Sequence, residues 1–328
     1  MKLFTSEEIM KEFPLRIKYD TEMAYDTGGV LRDMLSAFWE VAYLKLFDGG
    51  SVLTPLLHAQ VDMTTFPLLG KILSHGYFVA GYLPLRIAFP TLAGMLLGQS
   101  AETSDDMLIT AFANSISPVD ASVIKDALKV KGTSFRSDTI AKLLNVLSRY
   151  ESRVLPSPSN LKQQILQVSR FQFIVKPMPA VVMINSGIAH EEVPFWKKMS
   201  TEQLYSLYRV LSASSLKILQ FIQEPDDLTK DQERVLQYLK TYIGNLRVAE
   251  LERFLRFVCG SSVCPDEINV TFNSVSGLAQ RPIGHTCSYT LELSTMYSSY
   301  LEFENEFNQI LAAAHHDDAD WTWRMDAV

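Results

Sequence analysis

The spacing of apolar residues predicts helices over most of the chain. In several long segments the apolar positions recur every three or four residues, which places them on one helix face. Ser200 with Gln203, and Thr229 with Gln232, have capping-box spacing and predict two helix starts. We interpret these apolar faces as protein core rather than as ligand sites. The predicted faces contain Leu35, Phe38, Trp39, Ala42 and Leu46, then Leu204, Leu207, Leu211, Ile218, Leu219 and Ile222, then Val235, Leu236, Leu239, Tyr242, Ile243 and Leu246, and finally Leu251, Phe254, Leu255 and Val258.

The pattern changes after Gly260, a residue type that commonly ends helices. Residues 268–275 and 287–293 each alternate between apolar and polar side chains, which predicts two strands, with Cys287 at the start of the second. Ser299 with Glu302 then predicts the cap of a last helix. The predicted fold class is therefore α+β, with a mostly helical amino-terminal part and a small mixed α/β domain at the carboxy-terminal end.

Two segments interrupt the periodic pattern. Residues 149–160, "RYESRVLPSPSN", are rich in serine and proline and predict a surface connection. Residues 223–227, "QEPDD", lie between two helical patterns and predict a hinge. The chain is accordingly predicted to form one domain over residues 1–222 and a second over residues 228–328.

The overall composition favours a folded protein that does not bind nucleic acid. Hydrophobic residues make up 47% of the 328 residues, which is enough for a sizeable core. The net charge of -7 provides no basic field for phosphates, so nucleic acid is not an expected partner. The longest apolar region, residues 79–98, contains Pro84, Arg86 and Pro90 and makes a poor membrane span. We therefore interpret it as buried core and expect no membrane partner.

The cysteine content points to a reducing compartment. Three cysteines do not make a disulfide framework in a chain of this length, and the amino-terminal residues lack an apolar run of signal-peptide type. We therefore expect a cytoplasmic and/or nuclear protein.

The segment around Cys287 allows three interpretations. A lone cysteine at a strand start is commonly a small packed hydrophobe. A zinc site would use Cys259, Cys264, His285 and Cys287, but these spacings do not match a zinc knuckle, so no metal and no cofactor is predicted. The third interpretation is a nucleophile, because His285 lies two residues before Cys287 and an imidazole beside a thiol favours the thiolate. A papain-like protease is not favoured, since the other histidines have no supporting motif.

Five segments together resemble the HECT-type ubiquitin ligases. The family pattern of a proline, a short gap, His-Thr-Cys and an apolar-acid-apolar strand is matched by Pro282, His285, Thr286, Cys287 and residues 291–293. The other four segments follow the order of the family along the chain. They are "YDTGGVLRDMLSAFWEVAYLKLF", "FPLLGKILSHGYFVAGYLPLRIAFPTLAGMLLG", "FIVKPMPAVVMINSGIAHEEVPFWKKMSTEQLYSL" and "FLRFVCGSSVCP".

The resemblance implies a bilobal α+β fold with a HECT-like larger lobe over residues 1–222 and a small lobe over residues 228–328 that carries the catalytic cysteine. It implies that Cys287 accepts ubiquitin from a ubiquitin-conjugating enzyme as a thioester and passes it to a lysine of a protein substrate. His285 and Thr286 are expected to tune and shape this site, without a cofactor. We interpret Glu292 as structural, because counting along one strand places it on the opposite face from Cys287.

A glycine pair and its neighbours form another part of the resemblance. Gly28 and Gly29 are interpreted as a tight turn without direct chemistry. Asp26 and Arg32 are expected to fix this turn and the helix that follows.

Three departures from the family pattern keep a second interpretation open. Ser288 and Tyr289 stand where the family usually has an aromatic residue and an asparagine, and Met325 stands where it commonly has a phenylalanine. Residues 99–167 show no strands of the subdomain that docks the conjugating enzyme. They show helical patterns instead, around residues 107–114, 121–128 and 140–150. The alternative function is accordingly a catalytically inactive HECT-like protein-interaction module.

Overall fold

A computed structural model of the protein describes residues 29–58, 61–98, 101–277 and 280–316, with side chains described up to residue 312. These residues form an α+β fold of many helices and two small sheets, which confirms the predicted fold class in its general form. No helix in the described part of the chain is both long and apolar enough to cross a membrane.

The helices are numbered in chain order. They are α1 (Gly29–Leu46), α2 (Phe66–Ala80), α3 (Phe89–Leu97), α4 (Asp105–Ser115), α5 (Pro118–Leu128), α6 (Ser137–Ser148), α7 (Leu161–Arg170), α8 (Met178–Ser186), α9 (Val193–Lys198), α10 (Thr201–Leu211), α11 (Ser215–Phe221), α12 (Lys230–Asn245), α13 (Val248–Cys259) and α14 (Tyr300–His316). A 3-10 turn lies at Met63–Thr65, and a π-helical turn at Phe171–Val175 joins α7 to α8.

The strands form one antiparallel pair and one mixed sheet. They are β1 (Phe47–Gly49), β2 (Leu53–Pro55), β3 (Ile222–Gln223), β4 (Ile268–Asn273), β5 (Ile283–His285) and β6 (Thr290–Ser294). Strands β1 and β2 pair with each other. The mixed sheet has the order β3-β4-β6-β5, in which β4 runs parallel to β3 and β6, and β5 runs antiparallel to β6.

The predicted helix boundaries at the caps are confirmed. The backbone amide of Gln203 donates to the Ser200 hydroxyl and that of Gln232 donates to Thr229, and each glutamine side chain accepts from the backbone of its cap residue. The Glu302 amide donates to Ser299 before α14. Gly260 ends α13 with a φ of 67°, a left-handed conformation that favours glycine. Local sequence chemistry therefore sets these ends.

The chain divides into two compact units, which we call the C-terminal unit and the central unit. Among the described residues, the C-terminal unit comprises 29–41, 76–83 and 209–316, and the central unit comprises 42–75 and 84–208. Residues 209–222, predicted in the first domain, thus lie in the C-terminal unit with two earlier segments of the chain. The predicted hinge at 223–227 concerns motion and stays a prediction.

The core of the C-terminal unit is formed by α12, α13 and α14 packed with the mixed sheet. Its fully buried side chains include Leu239, Phe254, Leu291 and Phe303, and Ile218 from α11 joins the same cluster. Apolar residues alternate along β6, because Leu291 and Leu293 face this core while Glu292 is only partly buried. The sheet therefore presents one face to the helices and leaves Thr290 and Glu292 of β6 partly accessible.

The central unit is built largely from helices. Helices α4, α5 and α6 confirm the three predicted helical segments, although α6 ends at Ser148 rather than at residue 150, and no strand occurs in the described residues between 101 and 208. Their apolar faces meet that of α7 in a core that includes Phe112, Ile124, Leu143 and Ile165. The apolar region predicted as buried core is also confirmed, since its residues in this unit include the buried Ile87, Leu92 and Met95.

Candidate functional site

Cys287 lies in the turn of a β-hairpin. Strand β5 ends at His285, β6 begins at Thr290, and residues 286–289 form the turn between them. The predicted strand start at Cys287 is therefore wrong, because the strand begins only after the turn. The alternating letters that suggested a longer strand include the turn residues Ser288 and Tyr289.

Backbone and hydroxyl hydrogen bonds close this turn, which we call the cysteine turn (residues 286–289). The Ser288 amide donates to the His285 carbonyl at 3.1 Å, and the Ser288 hydroxyl donates to the Thr290 hydroxyl at 2.9 Å. Tyr289 has a φ of 50°, and its carbonyl accepts from the Asn269 amide of β4 at 2.8 Å. The left-handed conformation is uncommon for a tyrosine, so the surrounding contacts hold it in place.

The three cysteines differ in their exposure. Cys259 and Cys264 are buried, whereas Cys287 is exposed. Burial raises the pKa of the Cys259 thiol to about 12 and that of Cys264 to about 11, so both remain protonated near neutral pH. A thiol acts as a nucleophile only as the accessible thiolate. Cys287 is therefore the candidate nucleophile of this chain, and the interpretation of it as a packed core residue is wrong.

His285 and Glu292 form a hydrogen-bonded pair across the hairpin. His285 Nε2 lies 3.0 Å from Glu292 Oε2, and Asn273 Nδ2 donates to Glu292 Oε1 at 2.8 Å. The prediction that Glu292 lies on the opposite face from Cys287 assumed one continuous strand from Cys287 to Glu292. The cysteine turn breaks that strand, and the register instead pairs Ile283 with Glu292 and His285 with Thr290.

The charge of Glu292 fixes the roles of the two imidazole nitrogens. The hydrogen bond from Asn273, and then the one from His285, lower the pKa of the Glu292 carboxyl, which is thus ionised at neutral pH. An ionised carboxylate only accepts hydrogen bonds, so Nε2 of His285 carries the hydrogen. In neutral His285 the lone pair is then on Nδ1. The pair resembles the carboxylate-oriented imidazoles that act as general bases.

A pH prediction follows for Glu292→Gln. Because the folded state lowers the pKa of Glu292, the carboxylate contributes stability above its unfolded pKa of about 4.3, and this contribution is lost as the pH falls through the folded value. At neutral pH we expect wild type to unfold at a higher urea midpoint than Glu292→Gln. Below about pH 4 the difference between the two midpoints should shrink. Glu267→Gln, an exposed glutamate just before β4, is the matched control. A difference that is constant from neutral to acid pH would contradict the prediction.

The amino-terminal turn of α1 contacts the cysteine turn. A Cβ atom added to Gly29 would lie 2.7 Å from Thr286 Oγ1 and 3.1 Å from Cys287 Sγ. Gly29 therefore allows a close approach that no larger residue permits without displacement. This is more than the tight turn predicted for it. Gly28 and Asp26, and Met325 at the other end of the chain, lie outside the described residues.

The structure brings the three predicted site residues to one end of the hairpin. His285 ends β5, and Thr286 and Cys287 follow directly in the turn. Sequence reasoning missed Asn273, whose link to Glu292 depends on the pairing of β4 with β6, and it missed two distant contacts of Arg32. Arg32 donates to the backbone carbonyls of Cys259 and Thr286.

The described part of the chain provides no cluster of metal-binding side chains at this site. Among the residues that the structure describes, no group of three or more histidine, cysteine, aspartate or glutamate side chains could hold a metal ion. The four residues considered for zinc are also divided between buried Cys259 and Cys264 and exposed His285 and Cys287.

Comparison of the chain with models of known protein families gave no match, and comparison with curated proteins gave no match either.

Proposed function

We propose that this chain is a HECT-type ubiquitin-protein ligase that carries ubiquitin as a thioester on Cys287. The observation that supports the proposal best is the exposed thiol of Cys287 in a hairpin turn, directly after His285 and Thr286. An acyl-carrying cysteine needs to be reachable by two large partners in succession. A tight turn at the end of two strands meets this need, because it projects from the sheet on a rigid support.

The first step is a thioester exchange. The Cys287 thiolate attacks the carbonyl carbon of the ubiquitin thioester on a conjugating enzyme. A new carbon–sulfur bond forms, the old one breaks, and the thiolate of the conjugating enzyme leaves. One thioester replaces another, so the step needs little driving force and depends on access to the thiol. Thr286, packed against Gly29, shapes the surface beside the reacting sulfur.

The second step transfers ubiquitin to a lysine. The neutral lysine amine attacks the thioester carbonyl, a carbon–nitrogen bond forms, and the Cys287 thiolate leaves. The amine gives up a proton, for which Nδ1 of His285 is the acceptor when Nε2 donates to Glu292. Glu292 thus holds the imidazole in the tautomer that accepts a proton and stabilises the imidazolium that results.

The proposal also assigns partners and lobes. The small lobe corresponds to residues 228–328 and the larger lobe to residues 1–222, with the hinge at 223–227. The partners are ubiquitin, a ubiquitin-conjugating enzyme and protein substrates, in the cytoplasm and/or nucleus. Described residues 101–170 form helices and loops only, so we propose that the conjugating enzyme docks on a helical surface.

A single-turnover assay tests the proposal. Conjugating enzymes from a broad panel, pre-loaded with ubiquitin, are mixed with the wild-type chain and with Cys287→Ala. We expect a ubiquitin adduct on wild type that disappears on treatment with a thiol reductant, and no adduct on Cys287→Ala. Absence of any adduct on a folded wild-type chain would reject the ligase and favour the inactive HECT-like interaction module.

A further inference from the structure

Arg32 in the first turn of α1 bridges two backbone carbonyls that are distant in sequence. Its Nη2 donates to the Thr286 carbonyl at 2.8 Å, and its Nε donates to the Cys259 carbonyl at 3.1 Å. Cys259 is the last residue of α13, where carbonyl groups have no partner within the helix. A guanidinium is rigid and planar, so these two bonds fix the position of Thr286 relative to the end of α13.

The same guanidinium also contacts the far end of the cysteine turn. Arg32 Cζ lies 4.5 Å from the centroid of the Tyr289 ring, which is the geometry of a cation–π contact. Tyr289 is the residue with the left-handed backbone, and such a conformation persists only where surrounding contacts hold it. Arg32 therefore contacts the residue before Cys287 and the residue two places after it.

Neighbouring contacts hold Arg32 in this position. Asp33 of α1 pairs with Arg256 of α13 at 2.8 Å. The hydroxyl of Ser36, one turn further along α1, accepts from the Ser262 amide at 3.3 Å, just after α13. Helix α1 is thus joined to the end of α13 on both sides of the Arg32 side chain, and the guanidinium is presented to the turn from a fixed helix.

We propose that Arg32 is a positioning residue for Cys287, which, together with Tyr289, holds the cysteine turn in the conformation that presents Sγ for thioester exchange. The inference rests on the ligase function proposed above. It also gives Tyr289 a role, since the ring supports the guanidinium that fixes the turn.

The test measures two rates on the full-length chain. The first is the rate of ubiquitin adduct formation, measured at increasing concentrations of the ubiquitin-loaded conjugating enzyme. We expect Arg32→Ala to lower this rate at saturating donor about ten- to a hundredfold, because a small misplacement of a reacting group has effects of this size, without changing the half-saturating concentration. The second is alkylation of Cys287 by iodoacetamide, which requires an accessible thiolate but no aligned protein partner. It should stay close to the wild-type rate.

Further variants distinguish the effect of the Arg32 charge, the effect of the Tyr289 ring and general damage to the fold. Arg32→Lys keeps the charge but not the planar fork, so its transfer rate should fall nearly as far as that of Arg32→Ala. Tyr289→Ala should lose transfer as well, and Tyr289→Phe, which keeps the ring, should transfer faster than Tyr289→Ala. Arg253→Ala is the matched control, because this partly buried arginine of α13 donates to the nearby Ala249 carbonyl within its own helix.

Each outcome supports or overturns the inference. A wild-type transfer rate in Arg32→Ala or Arg32→Lys would overturn the role of Arg32 while leaving the ligase intact. No adduct on the wild-type chain would reject the ligase and this inference with it. If Arg32→Ala exposes Cys259 and Cys264 to alkylation, the fold is damaged, and Tyr289→Ala then decides: a wild-type transfer rate in that variant overturns the inference.

Discussion

Replacing Cys287 by serine is expected to trap ubiquitin on this chain and to stop its transfer to lysine. The serine hydroxyl can replace the thiol as acceptor, but the product is an oxyester, which reacts with amines far less readily than a thioester. The proton on the serine oxygen also remains at neutral pH, so the first step slows. We expect conjugates on substrate lysines to fall to the level seen without the chain, while an adduct resistant to thiol reductant and sensitive to base slowly accumulates.

The control for this experiment is the same substitution, cysteine to serine, at a buried cysteine. Cys264→Ser changes the same atom at a site that the solvent does not reach, so it should leave the reductant-sensitive adduct in place. An adduct on Cys287→Ser that thiol reductant still removes would show that a different cysteine carries ubiquitin. That result would contradict the assignment of the nucleophile.

Replacing Phe307 by alanine is expected to lower the free energy of unfolding by about 3–5 kcal/mol, the cost of emptying a large aromatic site in a core. Phe307 is fully buried on α14. Its ring centroid lies 4.9 Å from that of Phe303, 5.0 Å from Tyr242 and 6.0 Å from Phe254. Removing the ring leaves a cavity where α12, α13 and α14 meet, and these helices hold the sheet that carries the cysteine turn.

Urea denaturation followed by circular dichroism measures this change. Leu301→Ala on the same helix is the matched control, because Leu301 is 64% exposed and its loss should alter the free energy of unfolding by no more than about 0.5 kcal/mol. Equal midpoints for Phe307→Ala and Leu301→Ala would contradict the packing described for the C-terminal unit.

The elements set by local chemistry were predictable from the sequence. The capping boxes at Ser200 and Thr229 marked two helix starts, and Gly260 marked a helix end, because each of these signals acts within a few residues. One long helical pattern over residues 204–222 was nevertheless split into α10 and α11. Ser214 caps α11 there, since a serine hydroxyl competes for backbone amides.

The cysteine turn illustrates what the sequence did not reveal. Ser288, Tyr289 and Thr290 continue an alternation that is typical of a strand, and a left-handed tyrosine has no sequence signature of the kind that glycine provides. The position of the turn depends instead on Asn269, which pairs with the Tyr289 carbonyl from another strand. Contacts of this kind are set by the tertiary fold, so residue spacing along the chain does not reveal them.

The predicted site residues were found because they are adjacent in sequence, and their supporting residues were missed because they are not. His285, Thr286 and Cys287 follow one another in the motif. Arg32 is separated from Thr286 by 254 residues, and Asn273 reaches Glu292 only through strand pairing. A resemblance between short motifs therefore indicated the candidate nucleophile, but only the three-dimensional structure shows which distant residues contact its turn.

The separation between Arg32 and Thr286 also affects how the protein is made. Thr286 follows Arg32 by 254 positions. At a synthesis rate of about 5–20 residues per second, Thr286 is therefore added on the order of tens of seconds after Arg32. During that interval Arg32 lacks both of its carbonyl partners, because Cys259 also follows it late, by 227 positions. A chain that stops before β5 lacks Cys287 together with its turn, so the thiol is made only after the residue that we propose to position it.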